Sequence, residues 1–150
     1  MNCNIDENSR NETGYRKIEL YPDEKIVDLI RGLDEEQRIA FDIAVDYAKS
    51  IVKSRKSSHC LPPDPPLLIV QGGAGSGKST LIDAIGQELE KILRYPGDNP
   101  NHPYVLKVAF TGTAAANIKG QTLHSAFAFN FGNSFLSLKD KTRDAKRTSL

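Results

Sequence analysis

Eight consecutive residues, Gly72-Gly73-Ala74-Gly75-Ser76-Gly77-Lys78-Ser79, fit the pattern G-x-x-x-x-G-K-[ST]. At ordinary residue frequencies a chain of this length meets the pattern by chance on the order of 1% of the time. Tightly turned glycines aim successive backbone N–H groups inward, and a helix starting at Lys78 adds unpaired N–H groups and a positive dipole end. That chemistry suits a triphosphate. Lys78, the candidate catalytic residue, would reach the β and γ phosphates, and the hydroxyl of Ser79 would hold magnesium, with Thr80 a neighbouring hydroxyl in the first helical turn. The implied cofactors are ATP and Mg2+. The rival reading, a dinucleotide fingerprint starting Gly73-x-Gly75, fails because Lys78 stands where its third glycine belongs. Nor does an acidic residue close a strand about 20 residues on, where Asp98-Asn99-Pro100 reads as loop.

The loop needs a strand before it and a helix after it. Leu67-Leu68-Ile69-Val70 is a continuous apolar run of the length expected for a strand buried on both faces. Leu81, Ile82, Ile85, Leu89, Ile92 and Leu93 recur at three and four and predict a helix over 78–93. Tyr104 to Phe110 reads as a second strand. Beyond it Thr113 can cap a short helix that Gly120 stops, and another short helix is expected from Thr122.

Ahead of the loop, Pro22, Asp23 and Glu24 suit the start of a helix carrying Ile26, Val27 and Ile30, which Gly32 can end. Asp34 with Gln37 three residues later forms a capping box opening a second helix, with Ile39, Ala40, Ile43, Ala44, Tyr47, Ala48 and Ile51 at helical spacing. Residues 53–66, with four prolines, read as a loop, and residues 1–20 as a polar tail. Strands alternating with helices predict an α/β fold whose parallel strands are joined by crossovers, with helices on both faces. Two core strands are few for an open sheet, so residues 21–131 read as the leading part of a larger ATPase domain, followed by a charged segment at 132–150.

Composition excludes other classes. A hydrophobic content of 39% in 150 residues supports one core, and the net charge of +1 neither favours nor disfavours nucleic acid. Cys3 and Cys60 lack metal-ligand spacing. No apolar run approaches the ~20 residues that span a bilayer, so no membrane partner is expected.

Three blocks in order are similar to the start of the PIF1-like DNA helicases of superfamily 1. They are Leu33 to Phe41, Gly72 to Thr80, and Phe110 to Phe127, the last reading FTGTAAANIKGQTLHSAF. The resemblance covers about residues 33–131 and implies a RecA-like P-loop NTPase that couples ATP hydrolysis to 5′-to-3′ movement on single-stranded DNA. It implies that Gln37 reads adenine, whereas the residues alone allow Gln37 to be only the capping partner of Asp34. It further implies that Thr111, Gly112, Asn117, Thr122 and His124 contact the DNA backbone, with Ala115 and Ala116 in the same block. Single-stranded DNA and DNA junctions are the implied partners and a monomer the implied state. DNA repair or recombination would be the setting. Nucleus or mitochondrion would be the place in a eukaryote, cytoplasm otherwise.

His124 has no carboxylate or nucleophile at a spacing that makes it a general base. Phe127, Phe129 and Phe131 alternate at period two, and core packing is expected for at least two of them. Hydrolysis needs an acidic pair at a strand end and arginines from a second domain. Neither is assigned after Phe131, where Asp140 and Asp144 lie in a charged, patternless run. The chain alone is therefore expected to bind nucleotide but turn it over poorly, and a binding module without turnover or a non-helicase P-loop NTPase stay as alternatives.

Overall fold

The computed structural model describes residues 18–57, 61–99 and 102–127. They fall into two compact units, 18–97 and the described part of 98–127. Each has its own logic.

In the first unit, Pro22 stands just ahead of α1 (Asp23–Arg31) with φ −55°, and Asp23 and Glu24 lie at the positive end of the helix. Gly32 follows as its C-cap, as the sequence predicts. The capping box forms in full at the start of α2 (Glu35–Arg55): Gln37 N–H donates to Asp34 Oδ1 at 2.8 Å, and Asp34 N–H donates to Gln37 Oε1 at 3.2 Å. The helix runs to Arg55, three residues into the expected loop, because Lys53 and Arg55 suit its negative end and the first proline comes only at position 62. α3 spans Lys78–Leu93, as its period predicts.

Both α1 and α2 pack on α3. Ala40, Phe41 and Val45 of α2 meet Leu81 and Ala84 of α3 in the core, with Leu29, Ile30, Leu33, Ile85, Leu89 and Ile92 at its margin. Burying Phe41 and Leu81 contributes roughly 1.5–3 kcal/mol each. Ile18 is buried, and the chain behind it is tied to α3 by one amide. Gln87, itself buried, donates through Nε2 to Glu19 O at 2.9 Å and accepts from Tyr21 N–H at 2.9 Å. Those two bonds copy what a neighbouring strand supplies. Tyr21 Oη donates to Asp83 at 2.9 Å. At the surface Lys91 donates to Asp23 at 2.6 Å, and that bond holds the ammonium above its ordinary pKa.

The apolar run Leu67–Val70 departs from expectation. It forms no strand among the described residues and is exposed throughout, Leu67 at 97% and Ile69 at 84%. An extended segment makes no internal hydrogen bonds, so only a neighbouring strand can make it part of a sheet. The single ladder among the described residues lies elsewhere.

In the second unit that ladder joins β1 (Val108–Ala109) to β2 (Gln121–Thr122) in parallel, Val108 opposite Gln121 and Ala109 opposite Thr122. Between them runs α4 (Gly112–Asn117), and after β2 comes α5 (Leu123–Phe127). Both helices contact the strands, giving a small open α/β arrangement consistent with part of a P-loop fold. The strand expected over 104–110 is thus only two residues long, and β2 was not expected. The helix cap is Thr111, not Thr113: Thr111 is extended, at φ −110°, and its Oγ1 accepts from Ala114 N–H at 3.2 Å. Thr113 already lies inside the helix, where its backbone cannot adopt the cap conformation.

Gly120 stops α4 for a different reason from the one its sequence position suggests. Lys119 takes the left-handed conformation, φ 52°, while Gly120 N–H donates to Ala115 O at 2.8 Å. A Cβ on Gly120 would lie 2.2 Å from Lys107 O, so glycine is needed for close approach of the turn to the segment leading into β1. None of the described helices is long and apolar enough to cross a membrane. Cys3, Cys60, Phe129, Phe131, Asp140 and Asp144 lie outside the described residues.

Candidate nucleotide-binding site

The glycine-rich loop sits immediately before α3, and its turn is made by two glycines in the left-handed region, Gly75 at φ 78° and Gly77 at φ 72°. Gly77 is the N-cap residue, and Leu81 N–H donates to its carbonyl at 3.0 Å. Ser76 N–H closes the preceding turn on Gly73 O at 3.4 Å. The N–H groups of the first turn of α3 have no carbonyl within the helix to pair with, and they emerge beside the exposed loop. Such an array attracts an anion.

Lys78 supplies the cation. Its Nζ donates to Gly72 O at 2.7 Å, Gly73 O at 2.5 Å and Ser76 Oγ at 3.0 Å, so the ammonium is folded back over the loop that precedes it. The three acceptors are neutral. A phosphate offering full negative charge at the same place competes well against them, because it adds ion–ion attraction to bonds that the ammonium already makes charge-assisted. Ser79 and Thr80 follow on α3 and are exposed, which leaves both hydroxyls accessible.

Gln37 is the residue that the fold brings to this loop across 39 positions of sequence: its Nε2 donates to Ser76 O at 2.9 Å. The same amide accepts from Asp34 N–H in the capping box. Gln37 therefore stands at the loop and caps α2 at once. The contact with Ser76 itself has no signal in the sequence.

The residues Thr111, Gly112, Asn117, Thr122 and His124 all lie in the second unit. Thr111, Gly112 and Asn117 are exposed on or beside α4, while Thr122 and His124 are half-buried at β2 and α5. Thr122 Oγ1 accepts from Ser125 N–H at 3.2 Å, so both threonines act as helix caps. A capping hydroxyl accepts an N–H and still keeps its own proton to donate. Ala115 is buried and Ala116 exposed, which separates the packing residue of the pair from the surface one. No group of three or more His, Cys, Asp or Glu residues among the described ones is placed to hold a metal ion.

A family model described as AAA domain matches residues 63–149, more than half of the chain, and includes the whole of the loop. No curated protein and no solved structure matches the chain.

Proposed function

We propose that this chain, which belongs to the AAA domain family, binds magnesium ATP at residues 72–79 and serves 5′-to-3′ helicase movement on single-stranded DNA. The nucleotide half of this reading is carried by one observation: a left-handed glycine turn opening α3, with the Lys78 ammonium lying over it. The residues present fit the cofactor. The free first-turn N–H groups and Lys78 would hold phosphate oxygens, and the accessible Ser79 hydroxyl would take a place on magnesium. Bound ATP supplies the transferable phosphoryl group; this chain's residues bind and orient it.

Replacing Lys78 with Ala removes the cation and leaves the backbone cradle. Affinity for magnesium ATP should fall about ten- to a hundredfold, the worth of a hydrogen bond to a charged group, with little change for AMP. Equal ATP affinities for the parent and Lys78→Ala chains in calorimetry, both folded, would remove the nucleotide reading.

The DNA half rests on the resemblance of residues 110–127 to the PIF1-like block, supported by the two capping hydroxyls of Thr111 and Thr122 beside exposed Gly112 and Asn117. Neutral donors of this kind position phosphates without reading bases, and they release few counterions, so binding should weaken only shallowly with salt. Thr122→Asp is a clean test, since Asp caps a helix as well as Thr does while adding repulsion to phosphate. Anisotropy should show a loss on every unrelated single-stranded oligonucleotide alike. Unchanged affinity on all of them would place the DNA path elsewhere.

A further inference from the structure

Gln37 carries more than a helix cap. Its Nε2 donates to Ser76 O, while Ser76 Oγ accepts from Lys78 Nζ, so one residue of the loop is gripped on its carbonyl by α2 and leaned on at its hydroxyl by the phosphate-binding cation. A second observation fixes the approach. An ideal Cβ on Gly77 would lie 2.6 Å from Gln37 Nε2, so the amide occupies the space that a side chain at position 77 would need. The loop's left-handed glycine and the helix's glutamine fit each other.

From these contacts we propose that Gln37 is a positioning residue for the phosphate loop: its amide pins the Ser76 carbonyl and thereby keeps the N–H groups of Gly77 and α3 turned toward the phosphates, whatever base the nucleotide carries. This rests on the reading of residues 72–79 as a phosphate site. It differs from base recognition, which requires the amide edge. In the structure Oε1 accepts one bond from Asp34 N–H and Nε2 donates one to Ser76 O, which leaves one lone pair and one N–H of the amide open, so the two roles are separated by a ligand that has no base. When phosphate draws Lys78 away from Gly72 O, Gly73 O and Ser76 Oγ, the Gln37 bond still ties Ser76 to α2.

The test uses a ligand without a base, magnesium tripolyphosphate, and two variants of the whole chain. Gln37→Met keeps the length and loses the amide's bonds to Asp34 N–H and to Ser76 O, while the backbone bond from residue 37 to Asp34 Oδ1 stays. Asp34→Ala loses the Oδ1 acceptor of the cap, keeps its own backbone N–H on Gln37 Oε1, and leaves Gln37 able to donate to Ser76. α2 is anchored through Phe41 and Val45, so both variants retain a folded helix, which circular dichroism checks. Gln37→Met should bind tripolyphosphate about three- to tenfold more weakly than Asp34→Ala does, the effect expected of one lost hydrogen bond, and should lose affinity for ATP and GTP by the same factor. Equal tripolyphosphate affinities for the two variants, with a fall for ATP alone in Gln37→Met, would overturn the proposal in favour of base reading. Equal affinities for all three ligands would reduce Gln37 to a helix cap. If the parent chain binds tripolyphosphate no better than buffer anions, the phosphate site itself is wrong and the positioning role falls with it.

Discussion

On the C-terminal side of the glycine loop, α3 begins at Lys78 and sinks Leu81 and Ala84 into the core, at 2% and 0% exposure. On its N-terminal side, only a few residues away, Leu67 and Ile69 stand almost fully in solvent. The two flanks are comparably apolar in sequence. They differ in how each kind of element closes its hydrogen bonds. A helix pairs residue i with i−4 and needs only a face to bury. A strand borrows every bond from a neighbour, and a run of four residues has nothing to lend itself. The prolines at 62, 63, 65 and 66 hold the approach to that run extended and strip it of donors. The flank that can complete itself locally is packed, and the flank that depends on pairing is exposed and apolar, a surface of the kind that sheet edges normally have covered.

The largest test of this contrast compares one leucine from each flank. Leu81→Ala leaves a cavity in the core and should destabilise the chain by about 2–5 kcal/mol in urea unfolding. Leu67→Ala removes a side chain that touches little and should change stability by less than about 0.5 kcal/mol. The separation between the two values is the prediction. A cost at Leu67 approaching that at Leu81 would mean the run is packed in solution, and the contrast would collapse.

The same distinction decides what could be read in the sequence. α3 was legible because its apolar residues recur at three and four directly after the glycine pattern. The capping box was legible because Asp34 and Gln37 are three residues apart and answer each other within one turn. The glycine turn ahead of α3 was legible because its pattern is contiguous. What was missed depends on distance along the chain. Nothing near Gln37 announces Ser76, 39 residues on, and nothing near Gln87 announces the backbone of Glu19 and Tyr21. The sequence points to Thr113 and the cap is Thr111 for a local reason: two threonines lie within reach of one helix start, and only the backbone conformation at 111 chooses between them. The sequence offers Gly120 as a helix stop, while its tightest constraint comes from Lys107 O across the turn.

A smaller test lies within the loop itself, where the flanks meet. Gly73 belongs to the exposed side: a Cβ there would find nothing within 4 Å, and its backbone is not in the left-handed region. Alanine fits that position without strain and narrows the unfolded ensemble, so Gly73→Ala should be neutral or should stabilise the nucleotide-free chain by up to about 1 kcal/mol. Gly77 belongs to the packed side. Its φ of 72° costs an L-residue roughly 1–2 kcal/mol, and its Cβ would press on the Gln37 amide at 2.6 Å. That amide is the far end of a flexible side chain, so it can swing aside, but in doing so it gives up Ser76 O. Gly77→Ala should therefore destabilise by about 1.5–3.5 kcal/mol, the backbone strain plus one hydrogen bond, in urea unfolding without nucleotide. A double-mutant cycle sharpens the assignment. In the Gln37→Met background the hydrogen bond is already gone, so Gly77→Ala should cost about 0.5–1.5 kcal/mol less than in the parent. If the cost of Gly77→Ala is the same in both backgrounds, the strain is wholly in the glycine's backbone and the amide yields without loss. If Gly73→Ala costs as much as Gly77→Ala, the exposed side of the loop is held as firmly as the packed side, and the boundary between the flanks does not lie in the loop.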